Sequence, residues 1–202
     1  MLSQGSQATK VAPVVFLALL LTGCAGGRDF VRPGSDSLRL GTTTYQEVLQ
    51  EFGEPLRIGI SIHNGATIKT ASYSNAVATP FVGAVPEWET SFHFLDNVLV
   101  GYEYSSSFAE DSTDFDETKI GQIKMGGTSR ERVLELFGKP GGGCIYPMIL
   151  RKDDTALVYL FSGVTRRLFV PGSVRMTRKM LIVSIGPDGI VTDVFFTESN
   201  PK

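Results

Sequence analysis

Cys24, Cys144, His63 and His93 are the full cysteine and histidine complement of this 202-residue chain, so they bound its nucleophilic and soft-metal chemistry. Cys24 stands directly behind Leu21-Thr22-Gly23 at the end of the apolar run Val11 to Leu21, and the small residues Ala25-Gly26-Gly27 follow it. With Lys10 in front, the segment has the three parts of a secretory signal: a positive start, an apolar middle and a small-residue cleavage zone. The run is too short to span a bilayer, which takes about 20 apolar residues. Cys144 has no basic residue or histidine near it in sequence and reads as a small buried apolar residue. If Cys24 is modified, Cys144 has no partner, so no disulfide framework is expected. His63 and His93 stand alone in sequence, without a carboxylate or cysteine at ligand spacing, so no zinc site is expected.

Leu21-Thr22-Gly23-Cys24 resembles the lipobox of bacterial lipoproteins. The resemblance implies that the Cys24 thiol is acylated, that residues 1–23 are a signal peptide, and that the mature chain begins at Cys24. Each buried methylene of an acyl chain contributes about 0.8 kcal/mol, so two or three chains hold a protein stably on a membrane. Ala25, where an aspartate would retain a lipoprotein in the inner membrane, implies the outer membrane with the body facing the periplasm. Residues 24–34 are then a tether.

Other chemistry is missing from the text. No Gly-x-Ser-x-Gly elbow, P-loop or dinucleotide fingerprint occurs. Gly141-Gly142-Gly143 precedes no Lys-Ser/Thr pair and reads as a loop. The acidic group Glu110, Asp111, Asp114, Asp116 and Glu117 lacks the turn glycine of a calcium loop and reads as a solvated linker. A net charge of −2 excludes a general nucleic-acid binder. No catalytic residue, cofactor, metal or small-molecule substrate is expected, and the chain reads as something other than an enzyme.

An internal repeat organises the remainder. Residues 38–55 align without a gap on residues 123–140: Gly41 with Gly126, Thr43 with Thr128, Val48-Leu49 with Val133-Leu134, Phe52-Gly53 with Phe137-Gly138, Pro55 with Pro140. Thr43 with Gln46, and Thr128 with Glu131, read as capping boxes. Tyr45, Val48, Leu49 and Phe52 form one apolar stripe, repeated by Val133, Leu134 and Phe137, and a glycine then a proline end each helix. Phe52 and Phe137 are expected to be buried. Strands are expected at 67–73, 89–94 and 98–104 in the first copy and at 156–161, 178–185 and 190–196 in the second. Asp96-Asn97 and Pro187-Asp188-Gly189 are the turns. The expected fold is α+β: two tandem repeats, each one or two short helices packed on a roughly three-stranded antiparallel sheet. The boundaries are 35–108 for repeat one, 109–118 for the acidic linker and 119–202 for repeat two.

A lipobox followed by two Gly-x-Thr…Val…Phe-Gly-x-Pro copies resembles the SmpA/OmlA (BamE-like) outer-membrane lipoproteins. A tandem version of such a unit is also similar to secreted β-lactamase inhibitor proteins. The first resemblance implies a protein-binding scaffold or accessory factor in envelope assembly. The second implies an inhibitor or modulator of a periplasmic enzyme. Either way the partners are a membrane, through lipid, and an unidentified envelope protein. Two apolar loops, 80–88 and 168–173, are the expected interface, with Phe81, Trp88, Phe169 and Val170 as anchors. Arg166, Arg167, Arg175, Arg178 and Lys179 bracket the second loop as a basic rim.

Overall fold

A computed structural model of the chain describes residues 32, 37–76, 84–166 and 174–199. The elements are α1 (Tyr45–Phe52), β1 (Arg57–His63), β2 (Ala66–Ala76), β3 (Ala84–Val85), β4 (Glu87–Leu95) and β5 (Val98–Ser106). A 3-10 helix (Glu117–Gln122), α2 (Arg130–Phe137), β6 (Gly142–Ile145), β7 (Thr155–Arg166), β8 (Val174–Ile185) and β9 (Val191–Ser199) follow.

The strands form one antiparallel sheet in the order β1-β2-β4-β5-β6-β7-β8-β9, with β3 pairing β7 off that path. This corrects the expected α+β fold of two tandem repeats, each with its own three-stranded sheet: the described residues form mostly one continuous antiparallel sheet with few short helices. The cause is β6, expected as a glycine loop. Gly101 and Tyr102 of β5 pair with Cys144 and Gly143, while Gly142 to Ile145 pair with Val158 to Thr155 of β7. The glycines permit that seam. A Cβ on Gly141 would meet the Tyr104 carbonyl oxygen, and one on Gly142 would meet the Tyr102 carbonyl oxygen and the Glu103 backbone. Beyond the end of β6 the two halves touch directly. The Ser162 amide donates to Ser105 Oγ, Ser162 Oγ donates to Glu87, and Arg178 pairs with Glu89 at 2.7 Å.

Both helices lie on one face of this sheet. Directly paired residues point the same way, so Phe92, Tyr102, Gly143, Leu157, Val183 and Val194 share a face across the molecule. On the β1 side of it, Val48 and Phe52 of α1 pack with Tyr73, Phe92 and Phe94. On the β9 side, Val133, Leu134 and Phe137 of α2 pack with Tyr159, Leu181 and Val183. Val48 and Val133 are fully buried. Phe52 and Phe137, expected to be buried, are half-buried, because each closes its helix at the edge of its cluster.

The helix ends match between the halves. Thr44 and Ser129, one residue after the expected caps, accept from the amides of Glu47 and Arg132. Thr43 and Thr128 instead accept from the amides of Arg39 and Lys124, both at 2.8 Å, tying down the turn before each helix. Gly53 and Gly138 end the helices at φ of 77° and 75°, which favours glycine. Their carbonyls accept from Tyr73 and Tyr159.

The acidic segment, expected as a solvated linker, keeps Glu110, Asp114 and Asp116 exposed, and it also packs on the second half. Phe115 is buried against α2, β7 and β8. Asp114 and Glu117 flank the buried Lys179 ammonium at 2.6 and 2.8 Å, and the Phe115 carbonyl accepts from it. Burial lowers the Lys179 pKa, but the two carboxylates outweigh it and hold the ammonium above its ordinary value. Asp111 accepts from Arg32 and from the Tyr104 hydroxyl, and Thr113 donates to the Leu160 carbonyl.

Candidate functional site

The helix-free face carries the polar chemistry. Thr70, His93, Gly101, Cys144, Ala156, Ser184 and Asp193 follow one another across the strands on that face. His93 bridges Thr70 Oγ1 through Nδ1 at 2.9 Å and Glu103 Oε2 through Nε2 at 2.7 Å. Sequence spacing hides this chain, because Thr70, His93 and Glu103 meet only once β2, β4 and β5 are in register. A Cβ on Gly101 would press on Cys144 Cβ, Met148 Cγ and His93 Cδ2, so a glycine there lets all three close in. Cys144, the nucleophile nearest this chain, is held inert. Burial first, then the Glu103 charge, push its thiol up to about 12, leaving almost no thiolate at neutral pH.

Beside the chain lies a groove of about 500 Å³, walled by Met148, Leu150, Val158, Met180, Ile182 and Phe195. Met148 to Leu150 belong to the segment after β6. Asn64, in the β1–β2 turn, holds that segment by donating from Nδ2 to the carbonyls of Pro147 and Ile149 at 2.9 and 3.0 Å. Asn64 and Gly65 both have positive φ, the two-residue turn that Asn-Gly favours. Among the described residues, no group of three His, Cys, Asp or Glu side chains could hold a metal.

The second candidate surface is β1. Among the described residues it pairs only with β2, so its other edge carries outward N–H and C=O groups. Its sequence, Arg-Ile-Gly-Ile-Ser-Ile-His, alternates isoleucine with small residues. Ile58, Ile60 and Ile62 therefore lie on one face, with Leu56 just before them, and they are 45, 67, 75 and 75% exposed in the order Ile58, Ile60, Ile62, Leu56. The opposite edge, β9, also exposes Phe195 and Phe196 but carries Asp193 and Glu198 along its length. Charges of that kind discourage strand addition, and the interior of β1 has none.

The expected anchors fall differently. Trp88 lies on β4 and packs, partly buried, against the α1 cluster. Cys24, Phe81, Phe169, Val170 and Arg167 lie outside the described residues. Of the basic rim, Arg178 is paired with Glu89 and Lys179 is buried with Asp114 and Glu117. Neither β1 nor the His93 chain is among the sequence-derived candidates. Asn64-Gly65 between two alternating runs is the signal that could have revealed β1.

Among the described residues, these features define an antiparallel-sheet protein with both α-helices on one face, a grooved opposite face and one edge, β1, without a strand partner. No family model matches the chain, so the expected membership of the SmpA/OmlA family is not supported, and the search of curated proteins gives no match either. Among solved structures, the chain is similar to one from Streptococcus mutans described as a "putative beta-lactamase inhibitor protein". The identity is 14%, the TM-score is 0.37, and the match covers 77% of this chain and 82% of the other.

Proposed function

We propose that the chain is a lipid-anchored binding protein that captures a protein partner by strand addition at β1 and thereby modulates it, the partner being a periplasmic enzyme. The observation that carries the reading is the free β1 edge with its row of exposed isoleucines. Unpaired backbone groups on a sheet edge are satisfied by another extended chain, with pockets or ridges at alternate residues giving specificity. An apolar row of this kind is rare on a surface with no partner. Acylation at Cys24 would keep the binder at the outer membrane, within reach of periplasmic proteins. The assembly-scaffold reading stands on the family resemblance alone.

A photo-crosslinking residue placed at Ile60, and separately at Arg132 on the exposed side of α2, tests this in cells that make the full chain. The proposal expects one discrete protein adduct from position 60 and none from position 132. Equal adducts from both positions, or none from position 60, would contradict it.

A further inference from the structure

On the helix-bearing face, where the two halves meet, a cleft of about 450 Å³ runs beside α2. Arg32, Tyr102, Arg130, Leu134, Lys139 and Pro140 line it. Three of these six are cations. Arg32 is partly neutralised: it pairs with Asp111 at 3.2 Å, donates to the Pro140 carbonyl at 3.1 Å and lies over the Tyr104 ring. Arg130 and Lys139 have no ion pair among the described residues, and the described residues give the Tyr102 hydroxyl no hydrogen-bond partner. Glu131, next to Arg130, is hydrogen-bonded first to its own backbone amide and then to Ser129 at the helix start, and the Arg130 charge acts on it only weakly.

The alignment of residues 123–140 on residues 38–55 shows what is particular to this cleft. Positions 130, 134, 138, 139 and 140 correspond to 45, 49, 53, 54 and 55 of the first copy. Leucine, glycine and proline are kept. The two unpaired cations are the positions that differ, because the first copy has Tyr45 and Glu54 there. Tyr45 fills its own site, with its ring edge-on to Phe94 at 5.2 Å and Lys69 over its other side. Arg130 replaces that ring with a guanidinium, and Lys139 replaces a carboxylate with an ammonium.

We infer that this cleft binds a small oxyanion ligand with an apolar body, such as an aryl phosphate. Arg130 and Lys139 neutralise the anion, the Tyr102 hydroxyl donates to it, and Leu134 and Pro140 cover the apolar part. A guanidinium suits such a ligand because its paired N–H groups match two oxygens of a phosphate or carboxylate. The inference stands apart from the proposed capture at β1, which uses a different edge of the sheet.

Titration of the full chain with phenyl phosphate, followed by calorimetry, tests it. The wild type should bind saturably, and more weakly as salt is raised. Restoring the first-copy residues, Arg130→Tyr with Lys139→Glu, should weaken binding at least tenfold without moving the unfolding midpoint. Tyr102→Phe should weaken it several-fold, and Arg132→Gln, on the same helix outside the cleft, should leave it unchanged. No saturable binding by the wild type, or equal binding by the first-copy variant, would overturn the inference. So would attachment to vesicles containing phosphatidic acid with no uptake of phenyl phosphate, since the surface would then read lipid headgroups only.

Discussion

Gly142→Ala should be among the most damaging single-methyl changes in this protein. The added Cβ would sit against the Tyr102 carbonyl oxygen and within 2.7 Å of Glu103 Cα. Both are backbone atoms, so no rotamer change relieves the contact. Overpacking of this kind costs about 1–3 kcal/mol. The β5–β6 ladder it would push apart has two paired positions, Gly101 with Cys144 and Tyr102 with Gly143, and each backbone hydrogen bond contributes about 0.5–1.5 kcal/mol. The sum predicts a loss of about 2–6 kcal/mol, a fall in midpoint of roughly 4–24 °C for a chain of this size. Gly59→Ala on β1 is the control. A Cβ there meets nothing within 4 Å, so the change should be neutral or stabilise by about 0.4–1 kcal/mol through the unfolded state. Urea unfolding of both variants decides. A loss under about 1 kcal/mol at Gly142, or an equal loss at Gly59, would mean that β6 is not the tight seam described.

Cys144 should resist alkylation in the native protein at pH 8, because its thiol is pushed up to about 12, and should react fully in urea; rapid native labelling would contradict the burial. Asn64→Ala should lose about 1–2 kcal/mol by urea unfolding, from two hydrogen bonds and a positive φ of 47°, whereas Asn64→Gly should lose only the hydrogen-bond part. The Glu117 carboxyl is held below its ordinary value of 4.5 by its hydrogen bond from Lys179. A lowered pKa gives stability that is present above 4.5 and lost as pH falls through the folded value. Lys179→Met should therefore shrink the drop in thermal midpoint between pH 7 and pH 3; an unchanged drop would mean that the pair does not contribute.

Local signals in the sequence carried far, because helix ends and turns are written in a few adjacent residues. Gly53, Gly138, Asp96-Asn97 and Pro187-Asp188-Gly189 all act where their chemistry places them. The caps fall one residue late because Thr43 and Thr128 are buried and bond backward to Arg39 and Lys124, leaving Thr44 and Ser129 to cap. The merging of the sheets was not legible. A run of three glycines reads as a loop until a neighbouring strand comes close enough to forbid a side chain, and that closeness is a tertiary fact. The acidic segment was legible in part: its carboxylates stay at the surface, but the buried lysine of β8 that Asp114 and Glu117 flank is brought there only by the sheet. The His93 chain depends on the register of three strands, which one-dimensional spacing does not encode.

Capture of a protein partner at the β1 edge can be measured directly. Once the partner crosslinked at position 60 is identified, it can be titrated against the purified chain and against Ile60→Lys, which puts a charge at an exposed position in the middle of the edge. Ile60→Lys should lose at least a hundredfold in affinity with an unchanged unfolding midpoint, together with any effect on the partner's activity. Retained affinity in Ile60→Lys, with the protein still folded, would place the interface somewhere other than β1.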